Sequence, residues 1–252
     1  MKMPIALQLW SVKEDVEKDF YKTLEKVASM GYDGVEFAGY YGKNAKELKA
    51  KLNELRLKVA GSHISMEEIL QDTDKVIEFE QELGNKYIVC PWASFNTTQD
   101  WDEFAEKMQQ AGQMIAAAGM SLLYHNHNHE LIKNEGVFIL DRLLEAVPAS
   151  CLNAELDTYW LEYAGVNSVD YLDKWKGRTP HIHVKDMDLN KRKSTEIGNG
   201  SIDIKAIVKK AYENGIEWLI VEQEAFTKPP LECVEISLQN LKRIIVDSEG
   251  IL

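Results

Sequence analysis

The sequence predicts a single (β/α)8 barrel, the TIM-barrel architecture, and three observations lead to this prediction. Short apolar runs alternate with helical patterns along the whole chain, and counting them yields eight strand–helix pairs. The length of 252 residues agrees with the roughly 250 residues that are typical of such a barrel. The strands read as continuous apolar runs, as expected for parallel strands that helices cover.

The first half of the chain accounts for four of these pairs. Its apolar runs predict strands over residues 5–10, 34–37, 58–62 and 87–90. Helical spacing predicts helices over residues 20–30, 45–55, 66–83 and 101–118. Gly31, Gly84 and Gly119 directly follow predicted helices. Glycine readily adopts the left-handed conformation of a helix C-cap, so these positions support the predicted helix ends.

The second half repeats the pattern, with strands that end in polar side chains. These strands begin at residues 122, 152, 181 and 218, and the helices after them are predicted over 137–146, 169–175, 204–214 and 231–246. Residues 198–203 are predicted to form a loop that ends at Asp203 as a helix N-cap. Since no linker divides the chain, residues 1–252 are predicted to be one domain. An open doubly wound sheet is less favoured, because no glycine-rich phosphate fingerprint follows the first strand.

Composition narrows the classes of function. Apolar residues make up 45% and charged residues 28% of the chain, as in an ordinary soluble globular protein. The formal net charge of -12 argues against a nucleic-acid partner, which requires a basic face. We expect no membrane partner either, because no apolar run is long enough to span a bilayer. Three cysteines, an odd number, and the lack of a signal-peptide pattern favour the reducing cytoplasm.

The second-half strands place metal-binding types of side chain at their C-terminal ends, which gather at one face of a parallel barrel. Asp157 and His183 are the strongest candidates, although an aspartate here can instead cap a helix and a histidine can simply pack in the core. His183 is preferred to His181 because it lies closer to the barrel mouth. Glu222 is preferred to Glu224 because it lies closer to the apolar run.

A fourth ligand is sought in the histidine-rich segment after the fifth strand. Glu130 lies just past this strand, where a loop can fold it back over the mouth. It would complete a set with Asp157, His183 and Glu222. Such a mixed oxygen and nitrogen set suits a divalent metal ion, namely manganese, zinc, cobalt or magnesium.

Other side chains near strand ends are candidates for substrate contact. Aromatic walls suit the apolar faces of a sugar ring, although a tryptophan can equally be a packing residue. Lys185 lies on the same strand face as His183, where it can bind an anion, polarise a carbonyl group or simply be solvated. The predicted substrate contacts are Trp10, Glu36, His63, His125, Trp160 and Lys185.

The order of these motifs resembles the xylose-isomerase-like TIM barrels, specifically the sugar phosphate isomerase/epimerase group. The matching segments are residues 124–127 with Glu130, then 156–158, 181–186, 198–203 and 221–222. The resemblance implies that Asp157, His183 and Glu222 are metal ligands, with Glu130 as the fourth and His125 and His127 as rivals. In the ketose 3-epimerases of this group a glutamate lies inside the fifth strand, whereas this chain has Tyr124 and His125 there. This departure favours a relative that acts on keto-sugars or inososes.

The resemblance implies a metal-dependent sugar isomerase or epimerase that acts on a keto-sugar or related polyol through an enediolate intermediate. Glu222 or Glu130 would remove a proton next to the carbonyl group, and the other acid or a histidine such as His127 would return one, with Lys185 assisting. A lyase of the inosose dehydratase type and a non-catalytic sugar-binding barrel are the alternatives, and an endonuclease IV-like enzyme is disfavoured by the acidic charge. The expected partner is a small carbohydrate, and a homo-oligomer is left open.

Overall fold

The computed structural model describes residues 3–249, which form a closed barrel of eight parallel strands with helices around it. The strands are β1 (Ile5–Gln8), β2 (Gly34–Ala38), β3 (Lys58–His63), β4 (Tyr87–Cys90), β5 (Ser121–His125), β6 (Asn153–Asp157), β7 (His181–Val184) and β8 (Trp218–Val221). Each strand pairs with the next along the chain, and β8 closes the barrel on β1. The predicted (β/α)8 fold is therefore confirmed, while the predicted extent of 1–252 includes five terminal residues outside the described range.

Helices cover the outside of the barrel between the strands. The longer ones are Phe20–Met30, Ala45–Leu55, Thr73–Leu83, Thr98–Ala117, Ile139–Ala146, Ser168–Lys174, Ile204–Asn214 and Pro230–Glu249. Shorter helices span Lys13–Lys18, Met66–Gln71 and Thr158–Tyr163, and 3-10 turns span Leu9–Val12 and His129–Leu131. Within the described residues, no helix is both long enough and apolar enough to cross a bilayer.

Local sequence signals explain where several helices end. Gly31, Gly84 and Gly215 are C-caps with φ values of 93°, 87° and 72°. These left-handed conformations favour glycine, which has no Cβ atom to clash with the backbone. Asp203 caps the helix Ile204–Asn214 by accepting a hydrogen bond from the N–H of Ala206, as the sequence predicted.

Four predicted elements differ from the structure. The strand predicted over 5–10 ends at Gln8, because Leu9–Val12 forms a 3-10 turn. The helix predicted over 66–83 is two helices, because the backbone leaves the helical region at Asp72 (φ -126°, ψ 33°). The helix predicted from residue 137 begins at Ile139, because Val137–Phe138 pairs with Lys133–Asn134 in a small hairpin. The strand predicted over 181–186 ends at Val184, and Asp186–Asp188 pairs with Lys193–Thr195 in a second hairpin.

The barrel interior is apolar at one end and polar at the other. Ala6, Ala60, Trp218 and Ile220 form a small buried cluster that is separate from the large core between strands and helices. Trp218 is the first residue of β8, so this cluster lies toward the N-terminal end of the barrel. The C-terminal half of the interior is left to charged and imidazole side chains.

Candidate metal centre

Strand register brings the histidines and carboxylates onto the inside of the barrel. His125 is paired with Glu155, Glu155 with His181, and Asp157 with His183. Paired residues of neighbouring parallel strands point to the same side of a sheet. These five side chains therefore share the interior, and all are buried.

Four side chains meet at the C-terminal ends of β5 to β8: His125, Asp157, His183 and Glu222. Each offers one ligating atom, and these atoms lie within 4.8 Å of one another. His183 Nδ1 is 3.0 Å from Glu222 Oε2, and His125 Nε2 is 3.9 Å from Asp157 Oδ2. Ligands about 2.0–2.2 Å from a divalent ion stand roughly 3–3.5 Å apart, so this donor set fits such an ion with small adjustments.

Asp157 divides its two oxygens between two tasks. Oδ1 accepts hydrogen bonds from the N–H groups of Tyr159 (2.8 Å) and Trp160 (3.1 Å), and so caps the helix Thr158–Tyr163. Oδ2 is buried and accepts no hydrogen bond from any described residue, although the Lys185 ammonium group lies 3.3 Å from it. The helix-cap and metal-ligand interpretations of the sequence are therefore compatible, since a cation would satisfy the second oxygen.

Glu155 forms the centre of a histidine cluster beneath these four residues. Its Oε2 lies 2.9 Å from His63 Nε2, 3.2 Å from His125 Nδ1 and 3.2 Å from His183 Nε2. Its Oε1 lies 3.4 Å from His181 Nδ1. The sequence analysis did not select Glu155, although strand alternation places it on the same face as Asp157 and could have revealed it.

Glu36, predicted as a substrate contact, lies in the same buried layer. Its Oε2 accepts a hydrogen bond of 2.7 Å from Gln8 Nε2 and lies 2.7 Å from His183 Nε2 and 3.2 Å from His63 Nε2. Burial disfavours imidazolium, but Glu36 and Glu155 outweigh it, raising the pKa of His63 to about 9 and that of His183 well above its ordinary value. Protons thus supply positive charge here that a bound cation would replace.

Lys185 is fully buried among three carboxylates. Its Nζ lies 3.1 Å from Glu222 Oε2, 3.3 Å from Asp157 Oδ2 and 3.4 Å from Glu224 Oε2. Burial opposes the charges of both Lys185 and Glu222, yet the pKa of Lys185 is raised by these carboxylates, and the pKa of Glu222 is lowered mainly by Lys185. Glu224 is not part of the four-residue group. Its carboxylate can therefore pair with the Lys185 ammonium group while the other two carboxylates bind a metal ion.

An open cavity of about 370 Å³ lies over this group. Two tryptophans in its wall, Trp10 and Trp92, are 45% and 51% exposed, so their rings are available to a ligand. The lining residues are Trp10, Ala38, His63, Pro91, Trp92, His125, His127, Glu222 and Glu224. Its size is within the range of small-molecule sites.

His127 is a neutral imidazole in the cavity wall. Its ring packs against those of Trp92 (4.8 Å between centroids) and Trp160 (5.4 Å). Burial, together with the neighbouring His125 and Lys185, lowers its pKa to about 2. Its Nδ1 is buried and has no hydrogen-bond partner among residues 3–249.

Comparison with known proteins agrees with this architecture. The sequence model of the xylose isomerase-like TIM barrel family matches residues 24–244. The chain belongs to this family. Its curated relatives include the inosose dehydratase of Clostridium botulinum (strain Alaska E43 / Type E3), which is 26% identical over 82% of this chain and 83% of the relative.

Two solved structures show how widely this barrel is shared. A sugar phosphate isomerase/epimerase from Parabacteroides distasonis has a TM-score of 0.85 at 23% identity, covering 97% of this chain and 96% of that one. The 3-keto-D-glucoside 4-epimerase from E. coli has a TM-score of 0.70 at 18% identity, covering 96% of this chain and 100% of that one. Enzymes named isomerase, epimerase and dehydratase are therefore built on the xylose isomerase-like barrel that this chain forms.

The carboxylate of Glu130, the first choice for the fourth ligand, bonds to groups outside the four-residue group. Its Oε1 accepts a hydrogen bond of 2.8 Å from the Tyr124 hydroxyl group and lies 3.2 Å from His129 Nε2. Its Oε2 accepts the N–H of His127 at 2.9 Å. Within the described chain Glu130 is outside the four-residue group, and its rival His125 completes that group instead.

The motif segments 181–186 and 198–203 are joined by one buried carboxylate, Asp186. Its Oδ1 accepts the N–H groups of Met187 (2.8 Å) and Ile202 (3.1 Å), and its Oδ2 those of Gly198 (2.9 Å) and Gly200 (3.0 Å). A Cβ atom on Gly200 would lie 2.1 Å from Asp186 Oδ1. Glycine at residue 200 is therefore required for this close approach.

The hairpin that begins at Asp186 also holds the segment after β8. The N–H groups of Glu224 and Ala225 donate to the hydroxyl oxygen of Ser194, at 2.9 and 3.0 Å. Ser194 lies in the second strand of the hairpin. The position of Glu224 at the cavity therefore depends on a loop that follows a different strand.

Proposed function

We propose that the protein is a divalent-metal-dependent isomerase or epimerase of a keto-sugar or a related polyol. The observation that carries this proposal is the gathering of four ligating atoms, from His125, Asp157, His183 and Glu222, at the inner end of an open cavity. Nitrogen and carboxylate donors together suit manganese, zinc, cobalt or magnesium. His125 takes the ligand position that the sequence analysis first assigned to Glu130.

The chemistry divides between the ion and the side chains around the cavity. When bound, the ion would act as a Lewis acid and a template for a carbonyl group and its neighbouring hydroxyl group. Glu224 lines the cavity and removes the proton from the carbon next to the carbonyl group. Return of this proton to the neighbouring carbon gives isomerisation, and return of a proton to the opposite face of the same carbon gives epimerisation. Glu222, two residues earlier, also lines the cavity, but we assign it to ion binding. His127, a neutral imidazole in the same wall, hydrogen-bonds the reacting hydroxyl group.

The remaining groups hold the sugar in place. Trp10 and Trp92 present half-exposed rings to the apolar faces of a sugar ring. Lys185 stays charged between Glu222 and Glu224, and its ammonium group balances the negative charge that develops as the proton leaves. Such a cavity suits a small carbohydrate as partner, with neither nucleic acid nor membrane required.

A lyase of the inosose dehydratase type is the second candidate, and the curated relatives at about 26% identity favour it. Its first step is the same removal of a proton next to a carbonyl group. The difference lies in the next step, in which a β-hydroxyl group leaves as water. That step requires an acid beside the leaving group, and Glu224, which takes up a proton in the first step, can supply it.

Elemental analysis of the purified protein tests the metal, before and after chelation and reconstitution. Asp157→Asn should reduce bound metal strongly while the protein stays folded, because asparagine caps a helix about as well as aspartate. Asp203→Asn is the matched control, since Asp203 also caps a helix but lies outside the site. Equal metal content in Asp157→Asn and the wild type would contradict the proposed site, as would a wild type that takes up no metal.

Exchange of substrate hydrogen with deuterated water tests the reaction on a panel of keto-sugars and inososes. An isomerase or epimerase incorporates deuterium without loss of water, whereas a lyase releases water and forms an absorbing enone. Glu224→Gln should abolish exchange and leave metal content unchanged. Exchange at the wild-type rate in that variant would transfer the role of base to Glu222.

The cellular setting is part of the same proposal. Cys90, Cys151 and Cys233 are buried thiols, and none is in a disulfide within the described chain. A reducing compartment such as the cytoplasm suits this state and agrees with the sequence-based expectation. Association into a homo-oligomer stays a prediction.

A further inference from the structure

We infer that Glu155 and Glu36 are positioning residues that fix the orientation and the protonated nitrogen of the two ligand histidines. This inference rests on the proposed function, because it concerns how His125 and His183 hold the metal. Neither carboxylate belongs to the four-residue ligand group at the cavity. Each instead contacts a nitrogen on the far side of a ligand ring.

One ring nitrogen of His125 faces Glu155, and the other faces the four-residue ligand group. Its Nδ1 lies 3.2 Å from Glu155 Oε2, and its Nε2 faces Asp157 Oδ2 at 3.9 Å. A carboxylate can only accept, so Glu155 selects the form of the ring that carries its hydrogen on Nδ1. The lone pair of Nε2 is then directed to the metal position.

His183 is arranged the opposite way. Its Nε2 lies 2.7 Å from Glu36 Oε2 and 3.2 Å from Glu155 Oε2, while its Nδ1 faces Glu222 Oε2 at 3.0 Å. Glu36 and Glu155 therefore keep the hydrogen on Nε2 and leave Nδ1 for the metal. The two histidines therefore direct different ring nitrogens at the metal position, and the carboxylates of Glu155 and Glu36 determine which nitrogen each one uses.

This arrangement has a known physical effect. A carboxylate that accepts the second N–H of a ligand histidine orients the ring and makes its other nitrogen a better donor. Removing such a partner typically weakens metal binding about 10-fold to 100-fold. Glu155 contacts both ligand rings, whereas Glu36 contacts only His183, so we expect the larger effect from Glu155.

A second metal ion bound in the buried layer around Glu155 and Glu36 is the competing explanation. His63, His125, Glu155 and His183 offer atoms within 4.8 Å of one another, as do Glu36, Glu155 and His181. Glu36 Oε1 and His181 Nε2 also lack hydrogen-bond partners within residues 3–249. However, ions bound in both layers through His125 and His183 would require both rings to lose their last N–H. Neutral imidazole has one donor and one acceptor nitrogen, which disfavours an ion held by the first of these two groups. An ion held by Glu36, Glu155 and His181 would leave both ligand rings as they are, and the number of ions bound per chain tests for it.

Titration with Co²⁺, followed by its visible absorption, tests this inference without any assay of turnover. Glu155→Gln should bind Co²⁺ about 10-fold to 100-fold more weakly, with an altered spectrum and one ion per chain. Glu36→Gln should show a smaller loss. The matched control is Glu80→Gln, because Glu80 is a buried carboxylate that accepts hydrogen bonds from Ser62, Asn85 and Tyr40 away from the site. It should bind Co²⁺ like the wild type.

Two results would overturn this inference and leave the proposed function in place. One is wild-type affinity with an unchanged spectrum in Glu155→Gln, or in Glu36→Gln if the first variant does not fold. The other is two Co²⁺ ions per wild-type chain and one in Glu155→Gln, which would make Glu155 a direct ligand. A wild type that binds no Co²⁺ would instead remove the proposed function and this inference together.

Discussion

Replacing Asp186 with asparagine would test how the loop over the site is held. The carboxylate accepts two backbone N–H groups on each oxygen, from Met187 and Ile202 on one and from Gly198 and Gly200 on the other. Asparagine has a single carbonyl oxygen. Its amide NH₂ group would face two N–H groups from which it cannot accept hydrogen bonds, so Asp186→Asn leaves two of the four donors without this acceptor.

The expected loss of stability follows from these contacts. A hydrogen bond to a charged group contributes about 1.5–3 kcal/mol, and Asp186 is only 1% exposed. Gly198 and Gly200 are exposed, so water can reach their N–H groups and offset part of the loss of two such bonds. We expect the free energy of unfolding to fall by about 1.5–6 kcal/mol. That is a large part of the roughly 5–15 kcal/mol that stabilises an ordinary protein.

Urea unfolding of the wild type and Asp186→Asn measures this change. Asp188→Asn is the matched control, because Asp188 accepts the N–H groups of Asn190 and Lys191 in the same hairpin but lies at the surface. Its unfolding midpoint should not change. A loss below about 1 kcal/mol in Asp186→Asn, against the 1.5–3 kcal/mol of one such bond, would refute the reasoning. Equal losses in both variants would refute it as well.

Three further predictions concern the site and its frame. Added Mn²⁺ or Zn²⁺ should raise the melting temperature of the wild type but not of Asp157→Asn, since a ligand stabilises only a state that binds it. Gly112→Ala should lower the free energy of unfolding by at least about 2 kcal/mol in urea, because its Cβ atom would lie 2.0 Å from the carbonyl oxygen of Cys151. Trp92→Ala should raise KM about 3-fold to 10-fold with little change in kcat or melting temperature, because its half-exposed ring contributes contact with the substrate and little to the core.

The sequence predicted the barrel well because its signals are local. The predicted helices over 20–30, 45–55 and 204–214 have the observed bounds, since apolar spacing marks all three. Asp19, Asn44 and Asp203 cap their N-terminal ends, and glycines cap the C-terminal ends of the first and the third. The short helix Thr158–Tyr163 and the two hairpins were missed. The helix has six residues and the hairpin strands have two or three each, which is too short for a periodic apolar pattern to appear.

The candidate site was selected from similarly local signals. Asp157, His183 and Glu222 were chosen because each ends an apolar strand, a pattern visible in one segment at a time. The choice of Glu130 over His125 followed chemical type, whereas in the structure it is His125 that lies with the other three side chains. Glu155 was overlooked because a buried carboxylate is explained only by its partners, and these come from other strands.

Because His125 and Glu155 are in contact, replacing the candidate ligand on β5 also affects the neighbouring strand β6. A glutamate at residue 125, in the strand where the resembling ketose 3-epimerases carry theirs, would bring two carboxylates together in a buried layer, and like charges there cannot both ionise without a large cost. Glu36 and Glu155 already share this layer, but the imidazoles of His63 and His183 contact both of them. His125→Glu would remove one imidazole and add one carboxylate, so it should lower the free energy of unfolding less in combination with Glu155→Gln than alone. A change of ligand at the end of β5 is therefore coupled to the residue at the middle of the neighbouring strand.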